Sequence, residues 1–483
     1  MIRLLLSFCT LGLVPWRRRD SLDMLDMSLT DICSHVLAIG GSGSGKTSVL
    51  KVWLVDVFRR GGKSVGAIVA AVKADEWDNM QAIAKRAGVT NRLVRLAPKT
   101  FTFNFLAWQL SQPGSTPQSA ASLLNDLNRL SNKTSGGSDE QFWANLFNKT
   151  AVAAITICWL ARKNRCTVET VYQLIVSSPS SFENLKNESY RERSFCFQLM
   201  REAEANLQTE DDRRQLRQAV SFFTQEALQL GDKARGAAIS QVLAVLTPFL
   251  QGDLYDIVCC EEDTFSPEDP SRGKIVVIDF PTMVYGDGGR FIIALILKQV
   301  TQHSLSRRRP KTTTLVIRDE LPEIVGDPAE EVSNMALARS TRTAFVSGVQ
   351  SVPTLQESLG GSQGEQAVHS VISNYATKLV LSTACPKTAE MFSTAWGEAR
   401  ENFVSVSETK DHEDFNLLDF FTDDRLLFSL NQQLVPRCPP DAMLRLRRGG
   451  RGNRYRVDFF LCQAGRTYGA NAYPFKLVTF KQI

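Results

Sequence analysis

The chain has 483 residues, a net charge of +5, 43% hydrophobic residues and 22% charged residues, a balance that excludes a disordered or acidic solvating chain and leaves room for two or three folded domains. Its ten cysteines include no Cys-x-x-Cys pair and its four histidines are dispersed, so neither a zinc ribbon nor a disulfide scaffold fits, and buried reduced thiols of a cytosolic protein are expected.

Residues 1–34 form an N-terminal segment in which the apolar run Leu4–Val14 leads into Pro15, Trp16 and Arg17–Arg19. The run is shorter than the roughly 20 apolar residues that a bilayer requires. It reads as a core element, as an interfacial anchor or as the end of a longer membrane segment, and the arginines favour a cytoplasmic side. The rest of the chain is expected to lie in the cytoplasm, at most peripheral to or anchored at an inner membrane.

Val36–Ile39 is a short apolar run followed by Gly40-Gly41-Ser42-Gly43-Ser44-Gly45-Lys46-Thr47 and then by a helical pattern over Ser48–Arg60. Strand, glycine loop and helix in this order are the context of a phosphate-binding P-loop. Gly40, Gly41, Ser42, Gly43, Ser44, Gly45, Lys46, Thr47 and Ser48 are the expected nucleotide-binding set. The loop amides cradle phosphate oxygens, Lys46 reaches the β- and γ-phosphates, and the Thr47 hydroxyl binds Mg²⁺. ATP and Mg²⁺ are thus the expected cofactors.

Val65–Val72 reads as a buried parallel strand, with Lys73-Ala74-Asp75-Glu76 at its carboxyl end, where α/β sheets place ligands. Asn79–Ala87 reads as a helix and Arg92–Leu96 as a strand. Ser111–Ser119, rich in Ser, Pro, Gly and Gln, reads as a linker, and 117–251 is mostly helical in period, with a polar loop at Ser131–Ser138. Asp253–Asp269 carries seven acidic residues and no basic one, and reads as a solvated loop.

Strand signals resume with Ile275–Ile278, which ends at Asp279. A helix over Phe291–Val300 is followed by a basic turn, Arg307–Lys311, expected to be solvated. Further buried strands are Leu315–Ile317, Phe345–Gln350 and Lys378–Ser382. The predicted class is α/β: a nucleotide-binding domain over 35–115 and 273–483, with a parallel-rich sheet flanked by helices, into which an all-α domain over 116–272 is inserted.

A P-loop ATPase also needs acidic groups that hold the metal's water shell and activate the attacking water. Asp319-Glu320 follows an apolar run, so Asp319 is expected to anchor Mg²⁺ and Glu320 to polarise the water. Asp279 is the rival, but it lacks an adjacent second carboxylate. Arg318 stands where an apolar residue is usual, and it is expected to reach a neighbouring subunit, to pair with an acid or to detune the site. Gln350 ends a buried strand and can sense the γ-phosphate. Arg339, eleven residues earlier, can serve as an arginine finger. Lys46, Glu320, Arg339 and Gln350 are the expected catalytic residues.

In this order the motifs resemble those of the conjugative type IV secretion coupling proteins, the TraG/TraD-like ATPases of the HerA/FtsK superfamily. The resemblance runs from His35 to Gly397. It includes His35–Gly40 before the P-loop, Ala71-Val72-Lys73-Ala74-Asp75 in place of Asp-x-Lys-x-Glu, and Phe103-Asn104-Phe105-Leu106 in place of an Asn-Pro-Leu turn. Phe142-Trp143, Asp319-Glu320, Arg339, Val349-Gln350-Ser351, Lys387–Glu390 and Trp396-Gly397 follow. The resemblance implies a RecA-like motor domain with an all-α domain, a homohexameric ring with nucleotide between subunits and Arg339 acting in trans, and DNA driven through the channel. It also implies a membrane anchor, of which the chain shows at most a remnant, and secretion-channel or relaxase-like partner proteins.

Arg437–Arg456 contains seven arginines and one acid, Asp441, interleaved with glycines. It reads either as a phosphate-neutralising segment for single- or double-stranded DNA without sequence specificity, or as a solvated or subunit-contacting loop. The alternative to a motor is a nucleotide-gated adaptor that recruits partner proteins with little hydrolysis.

Overall fold

The apolar runs bounded by turn residues become strands in a computed structural model that describes residues 25, 27–131, 138–360, 364–408 and 426–482. The apolar run Leu4–Val14, the arginines Arg17–Arg19 and most of the polar loop Ser131–Ser138 lie outside the described residues. The chain divides into two compact units, one holding Lys46–Lys378 with the residues up to Ile39, the other Gly40–Gly45 with Leu379–Gln482.

In the larger unit β1 (Val36–Ile39), β2 (Val65–Ala71), β3 (Leu93–Leu96), β4 (Ile275–Asp279), β5 (Thr313–Arg318) and β6 (Thr343–Val349) run parallel in the order β1-β6-β5-β2-β4-β3. All but β3 are buried along their whole length, which explains their continuous rather than alternating apolar pattern. Helix α1 (Lys46–Gly61) begins two residues earlier than its periodicity suggests, and α2 (Glu76–Ala87) opens with Glu76 and Asp78 and closes with Lys85 and Arg86, each sign at its favoured end.

Between β3 and β4 the chain is helical. The expected linker is short: a helix over Phe105–Ser111 is followed by α3 (Pro117–Ser131), which Pro117 opens because the first helical turn needs no proline N–H. Asn104 caps the Phe105–Ser111 helix through the Ala107 N–H at 3.1 Å and donates to the Cys166 carbonyl at 3.1 Å. Helix α4 (Ser138–Arg162) forms the spine of the helical region; the stretch Phe142–Arg165 is long and apolar enough to cross a bilayer, but 67% of that window is buried within the protein. The acidic stretch differs from the solvated loop expected: Gly252–Val258 is helical, Asp269 is buried against Lys274 at 3.0 Å, and Asp263 accepts the Asn104 N–H at 2.6 Å.

Helix α5 (Thr282–Ser306) breaks at Gly286 near its start, and α6 (Pro328–Ala338) precedes β6. In the smaller unit β7 (Thr377–Leu381), which starts in the last residues of the larger one, is followed by α7 (Pro386–Trp396) and a two-stranded hairpin, β8 (Glu398–Glu408) with β9 (Leu426–Pro436). Strands β10 (Arg456–Gln463) and β11 (Phe475–Lys481) pair antiparallel in the order β11-β10-β7. Apart from the hairpin, nine strands among the described residues, mostly parallel and flanked by helices, make the RecA-like α/β class expected.

Candidate functional site

Parallel strands end together, so residues far apart in sequence meet at one edge. At the carboxyl ends of β2 and β5 and at the start of α1 lie Lys73, Asp319 and Glu320, and Thr47. The Thr47 hydroxyl donates to Asp319 Oδ2 at 2.8 Å. Lys73 Nζ bridges the two carboxylates, 3.4 Å from Asp319 Oδ2 and 2.7 Å from Glu320 Oε1. Gln350, just past β6, donates Nε2 to both Glu320 oxygens at 3.3 Å. Asp319 Oδ1 is buried with no hydrogen-bond partner among the described residues.

The charges are mutually dependent. Burial pushes the Lys46 ammonium down, and Glu320 and Asp319 oppose that push without cancelling it. Burial also opposes Lys73, yet Asp319 and Glu320 hold its ammonium above its ordinary range. The Glu76 carboxyl is pushed up to about 7, first by burial and then by the negative charges of Asp319 and Asp75. Close backbone approach sets the position of Asp319: a Cβ on Gly348 of β6 would lie 2.1 Å from the Asp319 carbonyl oxygen.

The glycine loop is described with the smaller unit. The Gly41 N–H donates to the Ser382 carbonyl at 2.9 Å, just beyond β7, and the Ser44 hydroxyl is buried with no hydrogen-bond partner among the described residues. Gly45 combines a φ of +97° with a neighbour, Val457 Cγ1, only 2.8 Å from where a Cβ would stand, so no other residue fits there.

The rival Asp279 is engaged elsewhere. Its Oδ2 accepts Arg95 Nε at 2.8 Å and Nη2 at 2.6 Å, a fork that ties β4 to the edge strand β3. Arg318 pairs with an acid inside its own chain, one of the three outcomes considered: Nη1 and Nη2 donate to Glu331 of α6 at 2.8 and 2.5 Å. The guanidinium also lies 4.7 Å from the centroid of Phe345, and the Tyr375 hydroxyl beside it donates to Ser347 at 2.8 Å. His35, one residue before β1, completes this buried cluster, donating Nε2 to the Met335 carbonyl at 3.0 Å and accepting the Phe345 N–H at Nδ1 at 3.1 Å.

Arg339 is not at this edge. It caps the carboxyl end of α6, is exposed, and stands before β6, whereas Gln350 stands after it. Lys73 belongs with the acidic pair although its motif alone gave it no role; its place directly after a buried strand was the available signal. The basic segment is partly consumed by the smaller unit itself. Arg447 forks onto Asp458 at 2.6 and 2.8 Å, Arg445 pairs with Asp441 at 2.5 Å, Arg448 donates to the Ser382 hydroxyl at 2.9 Å, and Arg437 donates to the Glu398 carbonyl at 3.1 Å.

Fold and site together define a P-loop α/β protein with a paired-carboxylate strand end. The family model described as the TraM recognition site of TraD and TraG matches residues 313–425. The fold is also that of the bacterial conjugative coupling protein TrwB: its unbound form aligns with a TM-score of 0.60 at 16% identity, covering 97% of this chain and 90% of that one. TrwB in complex with ADP and Mg²⁺ aligns at 0.59 and 15% identity, and with a non-hydrolysable ATP analogue at 0.60 and 15%, each covering 97% of this chain and 90% of that one. No curated protein sequence matches the chain. Residues 313–425 are thus similar to the TraD and TraG segment that the motifs suggest, and the likeness to TrwB is one of fold.

Proposed function

We propose that the chain is an ATP-hydrolysing motor of the coupling-protein type, which works as a homohexameric ring and moves DNA or a nucleoprotein toward a secretion or DNA-transfer machine. The observation that carries this reading is the convergence of Lys46, Thr47, Lys73, Asp319, Glu320 and Gln350 at one strand edge. The residues fit ATP and Mg²⁺: Asp319 Oδ1 beside Thr47 is a buried polar atom without a partner among the described residues, and the TrwB complex with ADP and Mg²⁺ supports the assignment. Thr47 and Asp319 would hold Mg²⁺, which when bound neutralises charge between the β- and γ-phosphates.

Lys46 lies on the phosphates. Glu320 orients the attacking water and accepts its proton, and Gln350, already hydrogen-bonded to Glu320, keeps that carboxylate aimed. Lys73 neutralises the acidic pair while phosphate charge is absent. Arg339 acts in trans on the γ-phosphate of the next subunit. Arg451, Arg454 and Arg456, exposed arginines of 437–456 that make no ion pair among the described residues and are not held by the contacts that engage Arg437 and Arg448, are the proposed contacts to DNA phosphates. We place the protein at the cytoplasmic face of the inner membrane, and the match of 313–425 to a TraM recognition site supports a protein partner on that segment.

The test is ATP hydrolysis by purified protein with and without single- and double-stranded DNA at two salt concentrations. DNA-stimulated turnover that weakens with salt is expected. Tight ATP binding with no DNA-dependent turnover would overturn the motor in favour of the nucleotide-gated adaptor.

A further inference from the structure

A cavity of about 100 Å³ lies where α3, α5 and α6 meet β5 and β6. Its apolar walls include Leu123 and Leu127 of α3, Leu295 of α5, Ile324 and Phe345, all buried. At about 30 Å³ per water, a space of that size holds a few waters or one compact molecule of several heavy atoms. Gly326, Asp327, Glu330 and Asn334 line it and are partly exposed, so it opens to solvent beside the first turns of α6.

The charges on the wall are already answered. Lys298 of α5 donates Nζ to Asp126 of α3 and, at 2.9 Å, to Glu330 of α6. Arg318 forks onto Glu331, and Asp327 pairs with Arg129 at 2.6 Å. These four carboxylates face three cations, so a further anion is not drawn in. What the wall leaves unspent is neutral hydrogen bonding and one donor. Arg318 is 6% exposed, and its Nε is buried with no hydrogen-bond partner among the described residues. The Thr301 hydroxyl and the Asn334 amide belong to residues that line the same space, and neither makes a hydrogen bond among the described residues. A buried N–H without an acceptor is costly, and it faces a cation unfavourably.

We propose that this cavity is a binding site for a small neutral molecule that carries a hydrogen-bond acceptor, a carbonyl oxygen above all, on a compact apolar body. The acceptor meets the Arg318 Nε–H, Thr301 and Asn334 position the polar end, and the leucines of α3 cover the apolar part. Such an occupant touches both the helical region, through α3, and β5, the strand that leads into Asp319-Glu320. The site is independent of the motor reading, because its binding is measured without nucleotide or turnover.

The probe is γ-butyrolactam, a compact ring with one carbonyl, titrated against the nucleotide-free chain and followed by saturation-transfer NMR. Pyrrolidine, the same ring as a cation, and butyrate, an anion of similar bulk, are the controls. Saturable millimolar binding of the lactam is expected, with both controls weaker. Ala294→Leu, which adds bulk to the cavity from a partly exposed position on α5, should abolish binding. Thr301→Val, which keeps the shape and removes the hydroxyl, should weaken it about threefold, as for one neutral hydrogen bond. Unchanged circular dichroism and thermal midpoint are the folding controls, and Thr301→Val decides the matter alone if Ala294→Leu does not fold. No saturable binding of the lactam would leave the cavity to ordered water and overturn the site, as would binding that survives Ala294→Leu in a folded chain. Butyrate or pyrrolidine binding more tightly than the lactam, or lactam affinity unchanged in Thr301→Val, would refute the neutral acceptor.

Discussion

The two oxygens of Asp319 have different surroundings: Oδ2 accepts from Thr47 and Lys73, while Oδ1 is buried without a partner among the described residues. A carboxylate left half-satisfied in a protein interior is costly unless something else completes it, which is why Mg²⁺ and its water are assigned here. Glu320 differs in having its charge answered by Lys73 and both oxygens held by Gln350. Glu320→Gln should therefore bind ATP normally and lower kcat by about 100-fold or more, the usual span for a lost general base, measured as a trapped ATP-bound assembly. Should Asp279→Asn reproduce that trap and Glu320→Gln not, the acidic assignment is wrong. A pH dependence also belongs at this scale. His35 is neutral with both ring nitrogens engaged, and burial lowers its folded value below the ordinary one. The unfolded chain then takes up the proton first, so stability present above about pH 6.5 is lost as the pH falls toward the folded value. Urea midpoints between pH 5 and 7.5 should show this loss for the natural chain and a shallower slope for His35→Gln.

At the scale of elements, arginines at strand ends determine which loops can approach one another. Arg92 reaches the carbonyls of Gly62, Val65 and Gly273 as Arg307 reaches those of Ser304, Thr312 and Thr341. Arg318 fixes α6 onto β5 through Glu331, so the helix that Arg339 caps is tied to the strand that Asp319 follows. Removing one member of a buried pair leaves a charge uncompensated at a cost of about 3–5 kcal/mol. Glu331→Ala should show a loss of that order in urea unfolding, and R318M/E331M a much smaller one. A double variant as unstable as the single one would mean that the packing of α6, not the charge pair, is what matters. Strands β1, β2, β4, β5, β6 and β7 were readable because each is a largely buried apolar run between turn residues, whereas β8 to β11 were not anticipated; Asp319-Glu320 was readable because it directly follows one of those runs. The Arg318–Glu331 pair was not readable, since a charge in an apolar run names no partner thirteen residues away. The acidic stretch 253–269 misled for a related reason: composition marks Asp269 as a surface residue, and only the fold brings Lys274 against it.

For the whole molecule, the separation of functions along β6 organises the proposed mechanism. Mixing Arg339→Ala chains with Glu320→Gln chains, each inactive alone, should recover some turnover if the finger is supplied by a neighbour. No recovery from chains shown to co-assemble would confine Arg339 to a role in its own subunit. The fold class and the position of the acidic edge follow from local sequence. The division of Arg437–Arg456 between structural pairs and outward-facing cations does not, because Asp458 and Ser382 lie outside that segment.

Strand β6 also has a consequence for stoichiometry. Its seven residues span roughly 23 Å at about 3.3 Å each, and Arg339 stands before one end while Gln350 stands after the other. No side chain bridges that length, so on the proposed reading a lone chain holds half of each of two reaction centres. Dilution should then extinguish hydrolysis faster than it removes protein: turnover per chain should climb with concentration and level off once every chain has a neighbour on both sides.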